Sequence, residues 1–378
     1  MGERMKALQR IALATAAAGA AALAVVPAAQ AGAATTHSSF IGRFHKISTI
    51  ASTVPHNGDV NPYGIVVIRR SLGRLRAGHI LISNFNNKAN LQGTGTTLVQ
   101  ISPRGHRTLF AKINASSLPG PCPGGVGLTT ALAVLRGGWV VVGSTPSRNG
   151  MASTAKAGCL IVLNNRGHVV TTIAGHGING PWDATSLNEG NQAALFVTNV
   201  LNGTVAAKGK VVHRGTVLRL QLRVFSNRPP QLLSTTKIGS GFPQQTNAAA
   251  FILGATGVGL SRTGALYVAS TQNNQLRVIP HAVTRSSTAG RGLLLTAGGK
   301  LSNPLGLAVS PVGSVLTVNG GNGLIVETTP GGVQIASRLL DNSGSPKGAG
   351  ALFGLAVRPG ARGVYYVDDA VNTLRLLH

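Results

Sequence analysis

Asn303-Pro304-Leu305-Gly306-Leu307-Ala308-Val309 opens a unit that runs on through Gly313, Val315-Leu316-Thr317-Val318-Asn319, Leu324-Ile325-Val326 and Val333-Gln334-Ile335-Ala336. Each apolar piece is only a few residues long, and Gly, Pro or Asn separates it from the next. Short apolar runs bounded by turn residues read as β-strands joined by tight turns. The unit therefore predicts four antiparallel strands in about 50 residues, the size of one propeller blade.

The same order recurs along the chain. The preceding copy has Gly257-Val258-Gly259-Leu260, Gly264, Leu266-Tyr267-Val268-Ala269-Ser270 and Gln275-Leu276-Arg277-Val278-Ile279. The last has Gly354-Leu355-Ala356-Val357, Gly363, Tyr365-Tyr366-Val367-Asp368-Asp369 and Thr373-Leu374-Arg375-Leu376-Leu377. The first begins Asn61-Pro62-Tyr63-Gly64-Ile65-Val66-Val67, and two more start near Ala131 and Asp183. Six aligned starts, at residues 64, 131, 183, 257, 306 and 354, predict an all-β, six-bladed propeller. The sixth unit reaches His378 after three strands. Phe44–Ala51 resembles the fourth strand of blade two, Gly167–Ala174, so the N-terminal strand is expected to complete the last blade. Closing the ring removes exposed sheet edges.

Three motifs carry a family resemblance. Asn-Pro-x-Gly-Ile/Leu-x-Val, Gly-x-Leu-Tyr-Val-x-Ser/Asp and Asn-x-x-Leu-Arg-Val resemble the NHL repeat, with Asn274-Gln275-Leu276 and Asn372-Thr373-Leu374 at its name-giving triplet. Blades one, four, five and six carry the likeness. It implies architecture shared with lactonase-like propellers and leaves activity open, since propellers host unrelated functions.

The leader reads as a signal peptide over residues 1–31. Arg4, Lys6 and Arg10 precede an apolar run from Ile11 to Val26, and Ala29-Gln30-Ala31 offers a small-x-small cleavage site. The run is shorter than the ~20 residues a membrane helix needs; the alternative is an uncleaved anchor. A secreted or periplasmic propeller over residues 32–378 is expected. Cys122 and Cys159 suit that setting as one disulfide.

Charge sets the chain apart. Taking Arg4, Lys6, Arg10 and Glu3 from 34 basic and 8 acidic residues leaves 31 and 7, a net charge of +24. Arg69, Arg70, Arg104, Arg219, Arg285 and others fall in different repeats, without the stripe and module of a nucleic-acid reader, so specific nucleic-acid binding is not expected. Two readings stay open. One is attachment to an anionic polymer or membrane surface; the other is life in an acidic exterior, where few carboxylates remain to be protonated.

In a propeller the starts of the inner strands and the ends of the second strands meet on one face. This brings together Asn61, Thr130, Asp183, Thr256 and Asn303 with Asn84, Ser144, Asn199, Ser270, Asn319 and Asp369. An oxygen-rich mouth of this kind suits a small polar ligand or a hard cation, Ca2+ or another divalent ion. Asp183, Asn199, Asn319 and Asp369 are the candidate ligands, against the alternative that Asn, Ser and Asp simply bond their own turns. Asp183 stands out because its equivalents are small or neutral, and Trp182 beside it either floors a pocket or packs. His56 is the histidine to watch, with a solvated loop as its alternative.

Catalytic equipment is thin. Lactonase-like propellers combine Glu with Asn and Asp at their metal, whereas Glu189 and Glu327 lie away from any inner-strand start. No HExxH or Gly-x-Ser-x-Gly occurs, and Gly254–Gly259 lacks the helix and Lys of a phosphate loop. The leading expectation is a non-catalytic binding or surface-interaction scaffold. The alternative is a metal-dependent hydrolase or lyase of the lactonase-like class.

Overall fold

The computed structural model describes residues 38–378, together with the backbone but not the side chain of Thr130. The expected signal peptide lies outside the described residues. Six antiparallel sheets follow one another, and each begins at a predicted inner strand: Val60–Val67, Leu128–Val134, Pro181–Glu189, Ala255–Leu260, Pro304–Val309 and Leu352–Val357. The chain is a six-bladed β-propeller. Ile47–Ser52 pairs antiparallel with Thr373–Leu377, so the N-terminal strand closes the last blade as expected. None of the described helices is long and apolar enough to cross a membrane.

Short alternating segments form these blades because each sheet buries both faces against its neighbours. Second strands are buried throughout, as in Ile80–Asn86, Val140–Ser144 and Val315–Asn319. Glycine recurs on the inner strands because adjacent blades approach by backbone. A Cβ at Gly306 would lie 2.0 Å from the Phe353 carbonyl oxygen, and one at Gly257 would lie 2.1 Å from that of Leu305.

The name-giving asparagines act between blades. Asn274 and Asn372 adopt left-handed turns, with φ of 51° each. Their side-chain oxygens accept the N–H of Asn303 at 2.6 Å and of Asn61 at 2.7 Å, at the start of the following blade. Asn61 and Asn303 thus belong to the ring's joints.

The ring is also fastened near its seam. Glu327, fully buried on the third strand of blade five, accepts from Ser39 Oγ at 2.6 Å and from the N–H groups of Phe40 and Ile41 at 2.9 Å. That carboxylate holds the segment leading into the closing strand. Cys122 and Cys159 form the expected disulfide, with an S–S distance of 2.08 Å.

Blade three departs from the repeat. Its sheet has five strands, including Gln231–Asn247 and the short Phe251–Leu253. Gly239, Gly241 and Pro243 all fall within Gln231–Asn247. The structure accommodates this stretch by four register shifts against the neighbouring strand.

Candidate functional site: the central channel

The inner strands of all six blades line a central cavity of about 1520 Å³. Tyr63, Trp182 and Leu305 floor it. Phe85, Phe251 and Phe353 join these residues in one buried apolar cluster, so the axis is filled at the end where the inner strands begin. Trp182 stacks on Phe251 at 6.2 Å, and Tyr63 packs on Phe353 at 4.2 Å. Phe251 sits on the extra hairpin of blade three with a φ of 61°. The opposite end reaches Arg69, Arg70, Arg136, Arg262 and Arg358 at the ends of the inner strands or just beyond them.

Among the described residues, Asp183 is the one carboxyl on the lining, and no histidine lines it. Register explains its rarity. Pro181 pairs with Asn199 and Ala184 with Val197, which aligns Asp183 with Gly64, Gly257, Gly306 and Gly354. In blade three the Thr198 hydroxyl accepts the Asp183 N–H at 3.0 Å and donates to the Thr256 carbonyl of blade four at 2.9 Å. The Asp183 carboxylate in turn accepts from Val258 N at 2.9 Å and from Ala184 N at 2.8 Å. One side chain thereby bridges two blades while facing the cavity.

Its electrostatics follow from that position. Asp183 retains some accessible surface, but that surface opens into the channel, within the body of the protein. Burial raises its pKa to about 7, although the N–H groups of Val258 and Ala184 favour the charged form and pull the other way. Tyr63 feels both Asp369 and Asp183; burial first, then these charges, hold its hydroxyl well above its ordinary pKa, against a hydrogen bond with the Trp182 indole that lowers it. Asp369 is also raised to about 7, by burial and by the adjacent Asp368.

The four candidate ligands divide. Of Asp183, Asn199, Asn319 and Asp369, only Asp183 lines the channel. Asn199 is buried, and its Oδ1 accepts from Asn179 N at 2.8 Å. Asn319, also buried, donates to the Lys300 carbonyl at 2.7 Å and to Asn322 Oδ1 at 2.9 Å. Asp369 needs a correction of register. Leu352 pairs with Asp368 as Pro304 pairs with Asn319, so Asp368 is the strand-end equivalent and Asp369 lies one residue beyond it.

Hard divalent cations call for six or more oxygens. Here the channel offers one carboxylate, already holding two N–H groups. Among the described residues, no three His, Cys, Asp or Glu side chains are grouped to share a metal. This donor set does not fit a lactonase-type metal.

The remaining candidates have structural neighbours or lie on the surface. Asn84 donates to the Thr53 carbonyl and to Thr97 Oγ1, both at 3.2 Å. Ser144 accepts from Gly127 N at 2.9 Å. Thr256 and Thr271 share a 2.6 Å hydrogen bond. His56 is exposed in its loop. The side chain of Thr130 lies outside what the structure describes.

No protein-family model and no curated protein matches the sequence. Solved structures do resemble the fold. A gluconolactonase from Xanthomonas campestris is 12% identical, with 88% of each chain covered and a TM-score of 0.52. A luciferin-regenerating enzyme is 10% identical, covering 88% of this chain and 95% of its own, at 0.54. The PQQ-bound aldose sugar dehydrogenase of Streptomyces coelicolor is 14% identical, covering 88% and 97%, at 0.52. At these identities the likeness shows the fold alone, a six-bladed propeller that these enzymes share.

Proposed function

We propose that the central channel is a small-molecule site and that Asp183 is its acid–base group, in a hydrolase or lyase of lactonase-like architecture that needs no protein-held metal. The observation that carries this reading is the placement of Asp183, the one channel carboxyl among the described residues, on the lining where burial raises its pKa to about 7. A carboxyl poised near neutrality exists in both protonation states at working pH. It takes a proton from water or from a carbon acid, and returns one to a leaving oxygen. The apolar floor of Tyr63, Trp182 and Leu305 excludes water from one side of a bound ring, and the arginines at the other end favour the carboxylate that opening of a lactone releases.

A second reading, binding without turnover, is favoured by the two backbone N–H groups that already occupy Asp183. Incubation with a panel of aldonolactones and other cyclic esters, with product followed by titration of released acid, separates the two. Turnover in the unaltered protein that falls at least 100-fold in Asp183→Asn, with an unchanged melting curve, supports the enzyme. Thermal stabilisation by a lactone with no turnover supports the binder. Neither turnover nor stabilisation removes the channel as the site for this ligand class.

A further inference from the structure

In each blade the hairpin between inner and second strands, and that between third and fourth, turn on the same face, the one at which the channel opens. These hairpins are dispersed between residues 68 and 363 of the sequence. Together they hold thirteen arginines, no lysine and no acidic residue. The connections on the opposite face hold six lysines, one arginine and the acids Asp59, Asp341 and Asp369. Glu189, the last residue of an inner strand, is the acid next to an open-face hairpin. Basic residues that alternate along the sequence are therefore largely sorted by face, arginine on one and lysine on the other, with Lys46, beside His378 where the closing strand begins, as the lysine on the open face.

Some of these arginines serve the fold. Arg74 donates to the Phe110 carbonyl at 3.1 Å, and Arg136 to that of Gly190 at 2.7 Å. Arg69, Arg70, Arg104, Arg166, Arg262 and Arg362 are exposed, and their side chains have no hydrogen-bond or ion-pair partner among the described residues. The ion pairs among the described residues belong to Arg375, with Asp368 at 2.7 Å and Asp341 at 3.6 Å. Like charges gathered on one face repel, and nothing within these hairpins neutralises them. The guanidinium fork, unlike an ammonium, matches the paired oxygens of phosphate and carboxylate groups.

Apolar exposure does not distinguish this face. Leu72, Val312 and Val333 are exposed on it, but Leu91, Met151 and Val371 are exposed on the other. Membrane docking would draw on buried apolar area as well as charge. The open-face ring also surrounds a concavity, which a flexible chain can follow and a planar bilayer would bridge.

We propose that the arginine face is a docking surface for a soluble linear polyanion carrying phosphate-type oxyanions. The reading does not rest on the chemistry of Asp183, although Arg69, Arg70 and Arg262 also line the open end of the channel. Long-chain inorganic polyphosphate is the probe, titrated into the protein between 50 and 300 mM salt, a range over which each phosphate contact is worth about half a decade in affinity. The open-face variant Arg69→Gln/Arg70→Gln/Arg262→Gln/Arg362→Gln is compared with the opposite-face variant Lys88→Gln/Lys208→Gln/Lys210→Gln/Lys347→Gln, which loses the same charge. The first is expected to lose affinity at least tenfold, and its plot of log K against log salt to become shallower by about 3, near 0.7 for each contact removed. The second should change less than about twofold, and Asp183→Asn should bind as the unaltered protein does. A version with the four open-face arginines changed to lysine keeps the charge and should still weaken binding about threefold, because the forks are gone. Equal losses in both glutamine variants would overturn the proposal. So would an absence of polyphosphate binding at 150 mM salt, or binding to phosphatidylserine vesicles in its place.

Discussion

The two ends of the channel are built from opposite materials. At the end where the inner strands begin, Tyr63, Phe85, Trp182, Phe251 and Phe353 share one buried cluster, and the disulfide ties the connection carrying Cys122 to the third strand of blade two. At the other end the lining runs out to Arg69, Arg70, Arg136, Arg262 and Arg358. The first end holds the ring together through packing, so its residues should matter for stability. The second presents charge to solvent, so its residues should matter for what the protein meets. Asp183 lies between them, against the floor.

The largest expected effect breaks the closed end. Phe251→Ala removes the ring that stacks on Trp182 and meets Phe85 at 5.3 Å. Loss of a buried Phe of this kind costs about 3–5 kcal/mol, which urea denaturation followed by Trp fluorescence would read. A loss below about 1 kcal/mol would mean that the floor does not depend on the extra hairpin. Next comes the covalent tie. Cys122→Ser/Cys159→Ser releases a loop with a sequence separation of 37 residues, and chain entropy puts the cost at about 3–4 kcal/mol. A midpoint unchanged between oxidised and reduced protein would show that the closed face is held by packing alone.

The third effect is a pH dependence and is smaller. Burial raises the pKa of Asp183 and Asp369 to about 7 in the folded chain, against about 3.9 when unfolded. Between those values the native state binds protons that the unfolded state has released. Stability therefore rises as pH falls from 7 towards 4, and levels off below. Burial also raises Asp368, in the same sense, despite its bond to Arg375. Calorimetry should show a melting temperature higher at pH 5 than at pH 7.5, with a smaller rise in Asp183→Asn. A fall over that range would contradict the burial of these acids.

The repeat made most of the fold legible. Local patterns such as Asn303–Val309 and Val315–Asn319 mark strands by themselves, and the unpaired strand near residue 47 announces closure. Blade three was illegible beyond its first strands because glycine and proline in Ser240–Pro243 look like a turn, and pairing carries the strand through them with a bulge at Gly241, whose φ is 77°. Asp183 could be found because five other copies show what its position ordinarily holds. Its companions could not be sorted in the same way. Asn199, Asn319 and Asn61 share the residue type of a ligand, and only their partners, Asn179 N, the Lys300 carbonyl and Asn372 Oδ1, show how each is held. The arginine face escaped a linear reading for a geometric reason: hairpins of separate blades come together only when the ring closes.

The most direct test is the titration of Asp183 itself. Carboxyl 13C shifts of the aspartates, recorded from pH 3 to 9 and assigned by loss of one signal in Asp183→Asn, report its ionisation at the channel floor. A midpoint near 7 is predicted. A midpoint below about 4.5 would mean that solvation and the N–H groups of Val258 and Ala184 outweigh burial, and the channel would lose the acid–base group on which its proposed function depends.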